Sequence, residues 1–305
     1  TMNHFGYACI NMDLAEQKPK IYTGRSMIKR TFKEKGISHA SQLGLDNCKD
    51  LATILKWNNE NGFKFFRITS NLFPWCSEYS LCDMPDYEEI KDILGKAGEY
   101  VTQNEMRITS HPGPFNVLTS PHERVVKNCV QDLSVHGEVF DLMGLSETPY
   151  NKINIHIGGA YGDKEAAMER FCKNFSRLPK SVQSRLTVEN DDKETMYSVA
   201  DLYEGVYKVI GIPIVFDYHH HRFCTGGLSE KDALELAVST WGNIVPVVHY
   251  SESRNIEQKD DKIRPQAHSD YVYDFIDTYG NRVDIMIEAK AKERAVTKYK
   301  EVHNL

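Results

Sequence analysis

Eight short apolar runs, most of them rich in β-branched or aromatic residues and each followed by an amphipathic stretch, dominate this chain. The runs are His4–Cys9, Phe63–Ile68, Met106–Ser110, Ile153–His156, Leu186–Glu189, Ile214–Asp217, Val245–His249 and Val283–Glu288. Runs this short suit parallel strands covered on both faces. Helical spacing fills the gaps at Cys48–Asn59 (with Asp46 as a cap), Tyr87–Gln103, Pro121–Met143, Lys164–Arg177, Ser198–Val209, Ser229–Thr240, Tyr271–Thr278 and Lys290–Lys300. Strand then helix, eight times, predicts an α/β chain folded as a single-domain (β/α)8 TIM barrel over residues 1–305. The rival is an open doubly wound sheet. No strand is followed by G-x-G-x-x-G or G-x-x-x-x-G-K-[ST], so no nucleotide cofactor is expected.

Composition narrows the class. With 305 residues, 41% hydrophobic and 26% charged, the chain can bury a full core without disulfides or structural metals. Its apolar runs are far too short to span a bilayer, so no membrane partner is expected. The opening residues lack the basic and then apolar pattern of a secretory signal. Seven scattered cysteines without C-x-x-C point to a reducing, intracellular compartment and away from secretion. The net charge of −6 disfavours diffuse nucleic-acid binding. One segment runs against it. Residues 18–35, KPKIYTGRSMIKRTFKEK, carry seven basic side chains against Glu34 alone, among them Arg25, Lys29 and Arg30. Following the first strand, this insertion is expected on the rim of the barrel, where a phosphate backbone could be met.

The strand ends carry the chemistry. In such a barrel, catalytic groups gather where the strands end. Here those positions, or the residues just beyond, are His111, His156, Glu189, Asp217 with His219–His221, His249 and Glu288, with His268 in the loop after the seventh strand. Any one has a dull explanation, such as Asp217 capping a helix. Six consecutive strands ending this way is different, because burying so many imidazoles and carboxylates at one rim costs several kcal/mol unless something neutralises them. Divalent cations would do so, and carboxylates shared between paired metals are a common device for phosphoryl hydrolysis.

The segments HPGPF, IHIGG, VENDD, FDYHHH, VHYS and IEAKAKE, in that order, with GYACIN near the start and FRITSNLFPW at the second strand, resemble the UV damage endonucleases, relatives of endonuclease IV among the xylose-isomerase-like barrels. The resemblance runs from about Gly6 to Lys292. It implies a DNA repair endonuclease that nicks damaged double-stranded DNA 5′ to cyclobutane pyrimidine dimers and 6-4 photoproducts, and in many members at abasic sites. It implies two to three divalent metal ions per chain, manganese first, with zinc or magnesium as alternatives, and a monomer. The ligands it implies are His111, His156, Glu189, Asp217, His220, His249, His268 and Glu288, with Glu189 bridging two metals. Glu189 and His249 would be catalytic, with Lys292 offsetting developing charge. Tyr7, Asn11, Pro114 and Phe115 would face the lesion.

Three positions depart from the family pattern. Glu78 stands where a histidine ligand is expected. Val247 stands where the family often has a lysine. Pro114-Phe115 replaces a Gln-Tyr pair that probes damaged bases, and proline offers no amide. An abasic-site endonuclease and a metal-dependent sugar isomerase or epimerase remain the alternatives.

Overall fold

The computed structural model describes residues 3–305; the first two residues of the expected domain lie outside the described residues. Among the described residues, eight four-residue strands close into a parallel barrel in chain order. They are β1 (Phe5–Ala8), β2 (Phe65–Ile68), β3 (Arg107–Ser110), β4 (Ile153–His156), β5 (Leu186–Glu189), β6 (Ile214–Asp217), β7 (Val247–Tyr250) and β8 (Asp284–Ile287). β1 closes the ring by pairing with β2 and with β8.

Alternation along each strand decides what faces the axis. Ala8, Phe65, Val215, Val247 and Met286 pack together inside, with Trp241 beneath. Residues of the opposite parity, such as Phe66, Phe216, Val248 and Ile285, join the larger core under the helices. Two residues beyond the inward-facing Val215, Val247 and Met286 come Asp217, His249 and Glu288, so the same alternation turns these groups inward at the carboxyl end.

The outer layer comprises helices Lys29–Glu60, Tyr87–Gln103, Glu123–Leu142, Lys164–Phe175, Glu230–Val238 and Glu293–Val302, with a segment after β5 that runs from Val199–Leu202 through a π turn, Tyr203–Tyr207, to Lys208–Ile210. The helix expected at Cys48–Asn59 is the last part of the long first helix, which is broken at Gly36 (φ 67°, ψ −158°). The end of the basic run is therefore helical. Helices 87–103 and 123–142 meet at Gly98, where a Cβ would lie 1.6 Å from the carbonyl oxygen of Met143, so only glycine permits the approach.

The expected helix Tyr271–Thr278 is not formed. Its backbone amides bond elsewhere. The N–H groups of Tyr273 and Asp274 donate to Glu252, that of Tyr271 to Glu257, and that of Ile276 to the Tyr299 hydroxyl. Two carboxylates and a tyrosine hydroxyl distant in sequence take these amides.

Buried ionic groups fasten the amino-terminal end of the barrel. Arg107 on β3 lies inside, paired with Asp284 of β8 at 3.0 Å and donating to the carbonyls of Tyr150 and Val245 at 2.8 and 2.7 Å. Arg185 donates to the carbonyls of Leu145 and Ser146 just past helix 123–142 and pairs with Asp141 at 2.8 Å, a favourable place for a cation.

Candidate metal centre

The carboxyl ends of the strands bring seven of the expected ligands together around one buried carboxylate. Donor atoms of His111, His156 and Glu189 lie within 4.8 Å of one another, as do those of Glu189, Asp217, His249 and Glu288. Glu189 belongs to both groups and divides its oxygens between them. Its Oε1 is 3.1 Å from His111 Nε2 and 3.6 Å from His156 Nε2. Its Oε2 is 3.2 Å from His249 Nδ1 and 3.3 Å from His220 Nδ1. Asn154 steadies it, donating to Oε1 at 2.8 Å, and Thr187 donates to Asn154 in turn.

Tautomers follow from the outer contacts. His111 Nδ1 faces the carbonyl of Pro112 at 3.1 Å, His156 Nδ1 faces Asp191 at 2.7 Å, and His220 Nδ1 faces the carbonyl of Asn190 at 2.8 Å. For His111 and His156, a hydrogen on Nδ1 turns Nε2 toward Glu189 as the atom that would bind a cation. Burial pushes His111 down to about 4, so its ring is neutral near pH 7. Nε2 of His111 lies 3.1 Å from the Glu189 oxygen, a contact that either a hydrogen on Nε2 or a cation between the two makes favourable. Burial opposes charge on His156 too, but Glu189 and Asp191 outweigh it and hold the group up at about 9.

The other half of the cluster makes the same demand. Both ring nitrogens of His249 and Oδ2 of Asp217 are buried without a hydrogen-bond partner; the 3.2 Å approach of His249 to Glu189 lacks hydrogen-bond geometry. Burial, with Glu189 and Glu288 close by, pushes the Asp217 carboxyl well above the usual range. Its Oδ1 also accepts from the His220 amide at 2.8 Å, so the cap anticipated for Asp217 and a place in the cluster coexist. Burial opposes charge on Glu288, yet His249 and Arg67 hold it well below the usual range, and Arg67 Nη1 lies 2.9 Å from its Oε2. Mixed imidazole and carboxylate donors with orphaned buried atoms are what zinc, manganese or iron would satisfy.

Other expected residues lie outside the two groups. His268, in the loop after β7, has its ring 6.2 Å from that of His219 and is near enough to Glu288 to help hold that carboxyl down. Glu78 is exposed and belongs to neither. Tyr7 is fully buried on the outward face of β1, edge-on to Phe63 and Phe66, with its hydroxyl bonded to Asn11 and Asn58. Asn11 is buried too and caps the helix starting at Met12. Neither presents a surface to a base, contrary to expectation: the parity of β1 turns Gly6 and Ala8 inward instead. Arg25 is spent on anchoring the basic arm, through Asp50 at 2.8 Å and the carbonyl of Tyr22 at 2.7 Å. Lys29 and Arg30 remain exposed, as does Pro114, and Phe115 is 84% exposed. Lys292 adopts φ 57° beside the cluster, and burial pushes its ammonium down.

The model of the UV-endonuclease UvdE family matches residues 3–305. The chain belongs to that family. It is 36% identical to a UV-damage endonuclease of Schizosaccharomyces pombe over 95% of this chain, which spans 49% of that relative's length. It is 31% identical to a UV DNA damage endonuclease of Bacillus mycoides, covering 96% of this chain and 92% of the relative. Among solved structures, SacUVDE aligns with a TM-score of 0.83 at 31% identity, covering 99% and 98% of the two chains. A D-psicose 3-epimerase aligns with a TM-score of 0.56 at 13% identity over 99% and 92%, a likeness of fold alone.

Within this UvdE-family barrel, four polar residues went unread in the sequence: Arg67, Lys152, Asn154 and Asp191. Arg67 and Asn154 sit on the same strands as apolar neighbours, and their signal is the two-residue spacing from inward positions. Lys152 is fully buried with no hydrogen-bond partner on its ammonium, and burial pushes it well below the usual lysine range. Asp191 is two residues beyond Glu189 in VENDD, and orients His156. Asp191→Ala is expected to weaken metal binding about 10- to 100-fold by titration calorimetry, with Asp191→Asn recovering most of it, because an amide oxygen still accepts from Nδ1.

Proposed function

We propose that this protein is a metal-dependent endonuclease that nicks double-stranded DNA 5′ to UV photoproducts, acting inside the cell as a monomer. The observation that carries the reading is Glu189, whose two oxygens serve two separate ligand groups. His111, His156 and Glu189 would hold one divalent ion, and Glu189, Asp217, His249 and Glu288 another, with His220 adjoining both. Manganese is our first choice. Bound ions of this kind supply an activated water and offset phosphate charge. The chain's own groups do the rest. Asp191 and Pro112 hold the rings of His156 and His111 with Nε2 toward Glu189, and Asn190 fixes the ring of His220. Arg67 balances Glu288, Lys292 adds positive charge at the same corner, and Lys29 and Arg30 meet the DNA backbone. Phe115 is exposed on the rim to wedge between bases that damage has already made easy to unstack. Pro114 beside it supplies no amide, which favours abasic sites as a second substrate.

The test is a nicking assay on end-labelled duplexes carrying one pyrimidine dimer, one abasic site or no damage, with Mn²⁺ and with EDTA. Metal-dependent cleavage just 5′ of the dimer is expected. Cleavage of the abasic duplex alone would move the assignment to an abasic-site enzyme. Metal binding without any cleavage would sink the nuclease reading.

A further inference from the structure

The loop after β4 carries an aromatic side chain that the fold does not require. Residues 160–163 form a tight turn, closed by the Asp163 amide donating to the Ala160 carbonyl at 2.9 Å. Both central residues take positive φ, 51° at Tyr161 and 76° at Gly162. This is the backbone of a type I′ turn, which favours Asn, Asp or Gly at its first central position because a larger side chain is strained there. Burial does not compensate for tyrosine at that place, since 51% of the residue stays exposed. Strain of this kind gathers at sites that bind or react.

Neighbours hold the ring in one place. It lies against the backbone of Gly159, where an added Cβ would come 2.9 Å from it. The guanidinium of Arg170, on helix Lys164–Phe175, sits 5.5 Å from the ring centroid. Arg170 donates from Nε to the carbonyl of Thr119 at 2.7 Å, and Asn174, one turn on, donates to the carbonyl of Leu118 at 2.8 Å. These bonds tie the helix to the loop after β3, which carries Phe115. Among the described residues no carboxylate pairs with Arg170, so its remaining donors are left for an anion.

A half-exposed flat ring beside an unpaired guanidinium matches a nucleotide, which offers an apolar sugar face and a phosphate. Tyr161 lies five residues beyond His156, on the same rim as the ligand groups. A nucleotide gripped there belongs to the DNA of the proposed function, on which this inference rests. Contacts to damaged bases report the lesion, but contacts to sugar and phosphate set the register of a duplex on the protein. We propose that Tyr161 and Arg170 supply such a hold. The ring packs on the sugar of an undamaged nucleotide beside the lesion, and the guanidinium meets its phosphate. Because helix Lys164–Phe175 also holds the loop of Phe115, the two contacts keep a fixed spacing along the strand.

The experiment follows nicking of a duplex with one thymine dimer in Mn²⁺, over a range of salt, together with thermal unfolding. Tyr161→Asn is expected to raise KM roughly tenfold, with the larger part of the change in KM rather than kcat. The same variant is expected to unfold at a higher temperature than the wild type, because asparagine suits the turn. Arg170→Gln is expected to raise KM and to flatten the plot of log KM against log salt by about 0.9, the share of one phosphate contact. A Tyr161→Asn protein of raised thermal midpoint and unchanged KM would overturn this inference and leave the function standing. A folded Arg170→Gln protein with the wild-type salt dependence would also overturn it. No nicking of any damaged duplex by the wild type would remove the reading it rests on.

Discussion

Replacing Glu189 by glutamine is expected to lower nicking by at least about a thousandfold while leaving the fold in place. The amide keeps the volume of the side chain and can still accept from Asn154. It removes the one negative charge that His111, His156, His220 and His249 all approach within 3.6 Å. A neutral amide is a poor bridge between two cations, so metal content measured by mass spectrometry is expected to fall by at least one ion per chain. A second readout separates charge loss from misfolding. In the metal-free protein His156 is held up at about 9 against burial by Glu189 and Asp191. Removing one of those charges is expected to bring its titration down, as followed by NMR. A variant that kept wild-type nicking would end the assignment of Glu189 to the centre.

Arg107→Leu is expected to cost about 3–5 kcal/mol of stability, because it leaves the Asp284 carboxylate buried and uncompensated and strips donors from two carbonyls. For a chain of this size that corresponds to a fall in Tm of about 5–8 °C. Adding Asp284→Leu is expected to recover part of the loss, since an apolar pair avoids the stranded charge. The amide of His4 also bonds Asp284, which limits that recovery. Thermal unfolding of the single and double variants measures both. A single variant as stable as the wild type would show that the pair does not fasten the barrel floor.

Much of this was legible in the chain itself. The eight strands announced themselves as short apolar runs, and their terminal imidazoles and carboxylates announced a shared centre, because parallel strands in a closed barrel all end on one face. Even the cap at Asp217 could be read locally, three residues from the amide it accepts.

What escaped reading depended on contacts distant in sequence. The segment Tyr271–Thr278 has helical spacing, yet Glu252 and Glu257 take up its amides. Arg25 looks like a free cation in a basic run, and Asp50 neutralises it from 25 positions away. Tyr7 stands one residue from positions that do face the axis. Period two is visible in the sequence, but which parity points inward is set by how β1 closes between β2 and β8.

By itself, then, the sequence determined the order of the strands, the barrel and the chemical identity of the groups at its rim. These rest on local periodicity and on which side chains can bear a proton or hold a cation. The tertiary structure alone decided the outward turn of Tyr7, the sharing of Glu189 between two groups, the tautomers enforced by Asp191 and Asn190, and the bond from Arg170 to Thr119. Each is a matter of which atoms meet after ring closure, and closure joins residues that the covalent chain keeps far apart.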